Sequence, residues 1–250
     1  MNAKPIIEAK NITVRYGSLT VLENVSFGIN RGEIFSIVGG SGCGKSTLMR
    51  QLIGLERPTE GTVFIDGEDF TNSYGNQRRN ILRKFGVMFQ SSGLFASMTL
   101  AENIALPLET YTKLSRDRIV DLIELKLRAV GLAGFEGYLP SEISGGMKKR
   151  AALARAMALD PNILVFDEPS SGLDPLTSAN LDKLIVELNN ALGTTMIVVT
   201  HDLASCLAIS HRILMLDKSV KGVLFEGTPE SVREFRDNKY VYNFFNRIAD

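Results

Sequence analysis

A glycine-rich run near the N-terminus combines the residue types that bind a triphosphate. Before it, residues 34–38 are apolar and predict a buried strand, and after it, residues 48–52 predict a helix. Glycines let successive backbone N–H groups turn inward around an anion, and the helix N-terminus adds the positive end of its dipole. The pattern predicts a phosphate-binding loop (P-loop) made of Gly39, Gly40, Ser41, Gly42, Cys43, Gly44, Lys45, Ser46 and Thr47.

Two side chains of this loop add chemistry to that of the backbone. Lys45 is expected to reach the β- and γ-phosphates of a nucleoside triphosphate, and the Ser46 hydroxyl is expected to ligate Mg²⁺. The alternative is a glycine turn that matches the pattern by accident. The position of the run between a strand and a helix disfavours that alternative.

Two carboxylates follow a second apolar stretch. Residues 163–166 predict a buried strand, and Asp167 and Glu168 come directly after it. Open α/β sheets place their ligands at the carboxyl ends of strands. We expect Asp167 to hold Mg²⁺ through its hydration shell and Glu168 to activate the attacking water as a general base. An exposed acidic turn is the alternative.

A second anion site is predicted at Ser144, Gly145 and Gly146, which precede an alanine-rich helix at residues 151–159. Serine caps a helix, and glycines permit close approach to its free N–H groups. One nucleotide cannot easily use both this site and the P-loop. We therefore expect a homodimer in which each nucleotide lies between the P-loop of one chain and the Ser144 helix of the other.

Composition narrows the class of protein. The chain has 250 residues, 44% of them hydrophobic, and its 28 Lys and Arg balance 28 Asp and Glu. This balance gives no global basic field and argues against a nucleic-acid partner. Two cysteines suggest a reducing compartment, so a cytoplasmic location is expected. No apolar run reaches the length of a membrane span, and we expect any membrane role to depend on a partner.

The elements that must position these residues predict an α/β fold. Antiparallel strands are expected at 6–16 and 21–29, and further strands at 62–65, 86–90, 163–166, 194–200, 213–216 and 220–225. Helices are expected at 119–130 and 178–192, and Thr99 to Glu102 has the pattern of a capping box. The predicted divisions are a core of about 1–90 and 161–228, a helical insertion of about 91–160 and a helical tail of about 229–250.

The order of these motifs resembles the nucleotide-binding subunit of ATP-binding-cassette (ABC) transporters, and the match covers nearly the whole chain. It is carried by Ser144-Gly145-Gly146 and, some twenty residues later, an apolar strand ending in Asp167-Glu168-Pro169. The resemblance implies a P-loop NTPase core with a parallel sheet, an antiparallel β edge and a helical subdomain. It also implies a Mg²⁺-dependent ATPase that pairs with integral-membrane permease subunits at the cytoplasmic face of the cell membrane.

The resemblance assigns roles to four further residues. Gln90 would sense Mg²⁺ and the γ-phosphate and lie against the membrane subunit. His201 would contact the γ-phosphate and orient the attacking water. Asp174 lies in a loop that links the two active sites of the dimer. Tyr16 would stack on adenine, with core packing as the alternative.

A finer resemblance concerns the cargo. Residues 146–156, with 92–95 and 201–205, are similar to the ATPase of Mla/Mce-type phospholipid transport systems. That similarity implies phospholipid transport between membranes and an Mce-domain substrate-binding partner. Ile143 and Met147 depart from the usual Leu-Ser-Gly-Gly-Gln pattern. Importers of betaine, amino acids or peptides, a soluble ABC ATPase of the iron-sulfur assembly type, and a P-loop kinase stay open as alternatives.

Two features have competing interpretations. Cys43, at a helix N-terminus beside Lys45, is either redox sensitive through a lowered thiol pKa or simply a small loop residue. The aromatic tail at residues 238–250 either docks a partner or folds back on its own domain.

Overall fold

The computed structural model describes residues 4–248. Its strands are β1 (Ile7–Tyr16), β2 (Leu19–Ile29), β3 (Ile34–Val38), β4 (Glu60–Ile65), β5 (Glu68–Asp69), β6 (Phe85–Met88), β7 (Ile163–Asp167), β8 (Thr195–Val199), β9 (Arg212–Asp217) and β10 (Gly222–Gly227). Its helices are α1 (Lys45–Leu52), α2 (Gly75–Leu82), α3 (Leu100–Tyr111), α4 (Arg116–Ala129), α5 (Gly145–Ala156), α6 (Pro175–Leu192), α7 (Leu203–Ile209), α8 (Pro229–Glu234) and α9 (Lys239–Asn246), with a short 3₁₀ turn at Pro140–Glu142.

The strands form two sheets. A four-stranded antiparallel sheet has the order β2-β1-β4-β5, and a six-stranded sheet has the order β10-β9-β3-β8-β7-β6. In the larger sheet only β10 runs antiparallel to its neighbour. The predicted fold class, a parallel core with an antiparallel β edge and helices, is confirmed.

The central strands of the larger sheet are covered on both faces. Every residue of β3 and of β8 is buried. Parallel strands covered by helices have continuous apolar sequences, because neither face meets water. The apolar runs in the sequence therefore mark the strands that carry the predicted site residues.

The helices after residue 91 agree with the sequence patterns. The Thr99 hydroxyl accepts from the backbone N–H of Glu102, and the Glu102 carboxylate accepts from the backbone N–H of Thr99, which is the predicted capping box. Helix α4 begins at Arg116, before the predicted start, and ends just before Gly131, whose φ of 68° suits glycine.

Strand β6 ends earlier than predicted. Residues 86–90 were expected to form it, but β6 ends at Met88, which pairs with Phe166 of β7. Since β6 lies at the edge of the sheet, it has no second neighbour to extend it. Gln90 therefore lies in the loop beyond the strand.

The described part of the tail packs on its own domain. Val241 and Phe245 of α9 are buried in a cluster with Val38, Cys206 and Phe225, which belong to the core. This packing agrees with the interpretation in which the aromatic tail folds back on its own domain. No helix among residues 4–248 is both long and apolar enough to cross a membrane.

Candidate active site

Four parallel strands bring the predicted site residues to one edge of the large sheet. In spatial order these strands are β3, β8, β7 and β6. The P-loop follows β3, His201 comes just after β8, Asp167 and Glu168 lie at the end of β7, and Gln90 follows β6. Carboxyl ends of adjacent parallel strands share an edge, which is where such sheets bind ligands.

The P-loop is shaped for an anion. Gly44 is the N-cap of α1 with φ 103°, and no side chain caps this helix, so its first N–H groups face the loop. Lys45 Nζ donates to the carbonyl oxygens of Gly39 at 2.8 Å and Gly40 at 3.1 Å, which holds the ammonium over the loop. A Cβ at Gly39 would lie 2.2 Å from the carbonyl oxygen of Leu216. The loop thus requires glycine, and its donors fit a polyphosphate.

The side chain of Asp167 suits a hard cation. Burial raises its carboxyl pKa, as does the charge of Glu168, while Arg50, Lys149 and Lys45 act in the opposite direction. A cation beside the carboxylate would offset this desolvation. Among residues 4–248, no cluster of three or more His, Cys, Asp or Glu side chains could hold a metal ion. Mg²⁺ commonly binds through one or two protein ligands together with substrate phosphates, so Asp167 and the exposed Ser46 fit it.

The predicted base, Glu168, is fixed between two strands. Its backbone N–H donates to the Val199 carbonyl at 2.8 Å, and its φ is 48°. Its Oε2 lies 2.7 Å from Nδ1 of His201 and accepts from the His201 N–H at 3.3 Å and the Thr200 hydroxyl at 3.4 Å. The side chain of Glu168 is 13% exposed and that of His201 is 69% exposed. The carboxylate is held at the sheet edge while the imidazole stays open to a ligand.

Gln90 is placed against the same edge. Its Nε2 donates to the Ser171 hydroxyl at 3.3 Å. The main-chain carbonyl oxygen of Gln90 accepts a hydrogen bond from Lys149 Nζ at 2.6 Å. The structure therefore joins Gln90 to the loop after Glu168, as its predicted role in the site requires.

The predicted second anion site lies at the start of α5. The Ser144 hydroxyl caps α5 by accepting from the Met147 N–H at 3.3 Å, as predicted, and Ser144 and Gly145 are exposed. Within residues 4–248, no hydrogen bond joins Ser144, Gly145 or Gly146 to the P-loop. Anion binding at this helix start stays a prediction.

Asp174 is already engaged by its own helix. Its Oδ1 accepts from the backbone N–H groups of Leu176 at 3.1 Å and Thr177 at 3.0 Å, and so caps α6. Hydrogen bonds from the side chain and backbone of Thr177 lower the pKa of this carboxyl group. A direct contact between Asp174 and nucleotide stays a prediction.

Comparisons with known proteins settle the family. The profile of the family described as ABC transporter matches residues 22–171. This chain belongs to the ABC transporter family. A relative from Mycobacterium leprae, the probable ribonucleotide transport ATP-binding protein mkl, is 41% identical over 240 residues, which is 96% of this chain and 68% of the relative. The Escherichia coli K12 intermembrane phospholipid transport system ATP-binding protein MlaF is 37% identical over 246 residues, 98% of this chain and 90% of that protein.

Solved structures agree with this ABC assignment. The dimeric structure of the bacterial ABC transporter cassette MJ0796 matches with a TM-score of 0.81 and 33% identity, covering 89% of this chain and 98% of that one. A second structure of the same cassette is a post-hydrolysis state bound to ADP and Pi, with a TM-score of 0.80. The chain is the ATP-binding subunit of an ABC transporter, and its reaction is the hydrolysis of ATP.

Tyr16 does not pack in the core of this chain. It is 46% exposed, and its hydroxyl donates to the Glu56 carboxylate. This hydrogen bond is the main reason that the tyrosine pKa is raised. The core-packing alternative is wrong, and the exposed ring is available for adenine.

The premise of the redox hypothesis for Cys43, a lowered thiol pKa, is wrong. The side chain is buried, with 2% exposed, and this burial raises the thiol pKa more than the nearby Lys45 lowers it. A thiol without thiolate character or access reacts slowly with oxidants. Cys43 contributes backbone and packing to the P-loop.

Sequence reasoning missed Lys149. Its side chain is buried on α5, with 5% exposed, and it contacts main-chain atoms of two site segments. The signal was present, because Lys149 lies three and four residues before the buried Ala152 and Leu153 and so shares their helix face. Because lysine is charged, it was not counted among the apolar positions that indicate a buried helix face.

Proposed function

We propose that the chain acts as one half of an ATP-sandwich dimer. The observation that carries this proposal is the exposed, serine-capped start of α5, which has no hydrogen bond to the P-loop within residues 4–248. Two chains related by a two-fold axis would place each helix start on the partner's nucleotide. The dimeric structure of the related cassette MJ0796 supports the arrangement.

Within that dimer, each P-loop binds the phosphates and each partner's Ser144 helix closes over them. Lys45 stabilises negative charge on the phosphates through its ammonium. Mg²⁺, held by Ser46, Asp167 and Gln90, would supply charge neutralisation at the β- and γ-phosphates.

Glu168 takes a proton from the attacking water, and its neighbour His201 contacts the γ-phosphate. The contact between the two side chains fixes where the carboxylate points. After hydrolysis, the negative products repel each other and the Ser144 helix loses its ligand, so the dimer opens.

A groove beside Gln90 is the proposed permease contact. It lies between α2, β6, α3 and α5 and encloses about 360 Å³. Phe89 and Tyr111 give it apolar exposed walls, and Arg79, Arg83 and Arg155 line it with positive charge. A permease segment that combines apolar and carboxylate side chains complements this lining. Movement at Gln90 would then reach the membrane.

The proposed cargo is phospholipid, carried between membranes with the help of an Mce-domain substrate-binding protein. Support comes from the motif at residues 146–156 and from MlaF of Haemophilus influenzae, which is 38% identical over 237 residues, 94% of this chain and 89% of that protein. The mkl relative, named for ribonucleotide transport, is as similar and makes a nucleotide cargo the second candidate.

Reconstitution distinguishes these cargoes. The chain would be purified in complex with its permease and placed in proteoliposomes that contain a fluorescent phospholipid, with a labelled ribonucleotide in a parallel sample. We expect ATP-dependent transfer of the phospholipid and none with the matched Glu168→Gln complex. ATP-dependent movement of the ribonucleotide alone would contradict the lipid assignment.

A further inference from the structure

Lys149 carries a buried charge whose partners are unusual. Its Nζ donates to the carbonyl oxygen of Gln90 at 2.6 Å and to that of Glu168 at 3.4 Å. Both acceptors are main-chain atoms of segments that carry predicted catalytic side chains. A buried ammonium costs free energy unless its donors are satisfied, so these two carbonyls hold Lys149 and are held by it.

Burial disfavours the charge of Lys149, and two nearby carboxylates offset part of that cost. Burial lowers the pKa of Lys149, and the carboxylates of Asp167 and Glu168 oppose that effect. Hydrogen bonds from a charged donor are about twice as strong as those between neutral groups. The short bond to Gln90 is the stronger of the two, and the longer contact with Glu168 ties the second loop to the same ammonium.

Helix α5 connects this link to the other anion site. Ser144 is the N-cap of α5, and Lys149 lies only about 7.5 Å further along the axis, at about 1.5 Å per residue. Arg155 of the same helix donates to the Gly93 carbonyl, so α5 holds the segment after Gln90 at a second point. A displacement of the Ser144 end must therefore reach Gln90 and Glu168.

We propose that Lys149 couples the two nucleotide sites of the dimer as a positioning residue. Ser144 meets the partner's ATP, whereas Gln90 and Glu168 act on the ATP of their own chain. Lys149 is the rigid connection between them: when the partner's phosphates seat the Ser144 helix, the ammonium sets the loops that carry Gln90 and Glu168. This inference rests on the two-chain arrangement proposed above.

If Lys149 had only a structural role, its replacement would have a different effect. Replacing a buried charge by an apolar side chain of similar size is often neutral or stabilising. The variant Lys149→Met keeps the aliphatic stem and removes the donors, and Lys149→Arg keeps donors and charge. Lys126 is the matched control, because it is also buried in the helical region, with 7% exposed, and its ammonium pairs with Asp160 and not with a site segment.

The experiment measures kcat, the KM for ATP, the Hill coefficient and the Tm of each variant in the complete transporter. For Lys149→Met we expect kcat to fall roughly 10- to 100-fold, because the carbonyls of Gln90 and Glu168 both lose their charged donor and the two loops are no longer held together. The Hill coefficient should fall toward one, and KM should change less than about threefold, since the P-loop is untouched. Lys149→Arg should recover much of kcat, and Lys126→Met should change Tm without changing kcat.

Failure of the inference differs from failure of the dimer proposal. If ATP does not dimerise the Glu168→Gln chain, the two-chain arrangement is wrong whatever Lys149 does. If that dimer forms while Lys149→Met keeps the wild-type kcat and Hill coefficient, the coupling role is wrong. Equal losses of kcat in Lys149→Met and Lys126→Met would also overturn it, since they would reflect folding alone.

Discussion

Nδ1 of His201 lies 2.7 Å from Oε2 of Glu168, across the adjacent strands β8 and β7. Neither residue is near the other in sequence, and their contact depends on the order of strands in the parallel sheet. The geometry makes the imidazole a support for the carboxylate and leaves its other nitrogen toward solvent, where its side chain is 69% exposed.

This contact predicts different losses for the two side chains. Glu168→Gln should lower kcat roughly 10²- to 10⁴-fold, the contribution of a general base, while ATP still binds. His201→Ala should lower kcat roughly 10- to 100-fold, because one hydrogen bond to a charged group is lost. Single-turnover hydrolysis assays and ATP titration measure both effects. Normal turnover in the Glu168 variant would refute the base assignment.

The exposed ring of Tyr16 predicts a loss of nucleotide affinity. Tyr16→Leu should raise the Kd for ATP about 5- to 100-fold, since stacking of a base on an aromatic ring contributes about 1–3 kcal/mol. Tyr16→Phe, the matched control, keeps the ring and loses only the hydrogen bond to Glu56. Equilibrium titration with a fluorescent ATP analogue measures each Kd. Equal affinity in all three proteins would exclude stacking.

Burial of Cys43 predicts insensitivity to mild oxidants. The thiol is enclosed and its pKa is raised, so peroxide should leave the ATPase rate of the wild-type chain unchanged. The variant Cys43→Ala should be equally insensitive to peroxide. The measurement is the initial rate after timed peroxide exposure. Inhibition of the wild type that is absent from the variant would show that the thiol becomes accessible.

The packing of α9 predicts a stability effect in the isolated chain. Phe245→Ala should lower the free energy of unfolding by about 3 kcal/mol, since the ring is buried against the core. Ile248→Ala is the control: Ile248 is 48% exposed, so its loss should cost less than about 0.5 kcal/mol. Urea unfolding measures both values. A Phe245 variant as stable as the control would return the tail to the partner-docking interpretation.

Much of the fold was predictable because local patterns and tertiary structure agree. The apolar runs of β3 and β8 indicated strands that are buried on both faces, and the capping box at Thr99 marked the start of α3. The early end of β6 was not predictable, because β6 is an edge strand and no local sequence pattern marks where its pairing with β7 stops.

The candidate site was predictable in its residues more than in its contacts. The apolar strand before it identified Glu168, and the family resemblance identified His201. Neither predicted that one supports the other, since their contact follows from strand order. The sequence left two interpretations of Cys43 open, and its burial, which raises the thiol pKa, favours the one in which it is a small loop residue. Lys149 was missed because a charged residue on a buried helix face looks like a solvent-facing one until its carbonyl partners are known.

The central claim is that a second chain completes each nucleotide site through Ser144. Sedimentation velocity of the Glu168→Gln chain, with and without ATP and Mg²⁺, tests it most directly. We predict a monomer without ATP and a dimer with it. The double variant Glu168→Gln, Ser144→Arg should bind ATP with unchanged affinity yet remain monomeric. A double variant that dimerises as well as the single one, or a lone wild-type subunit that hydrolyses ATP at full rate, would contradict the account.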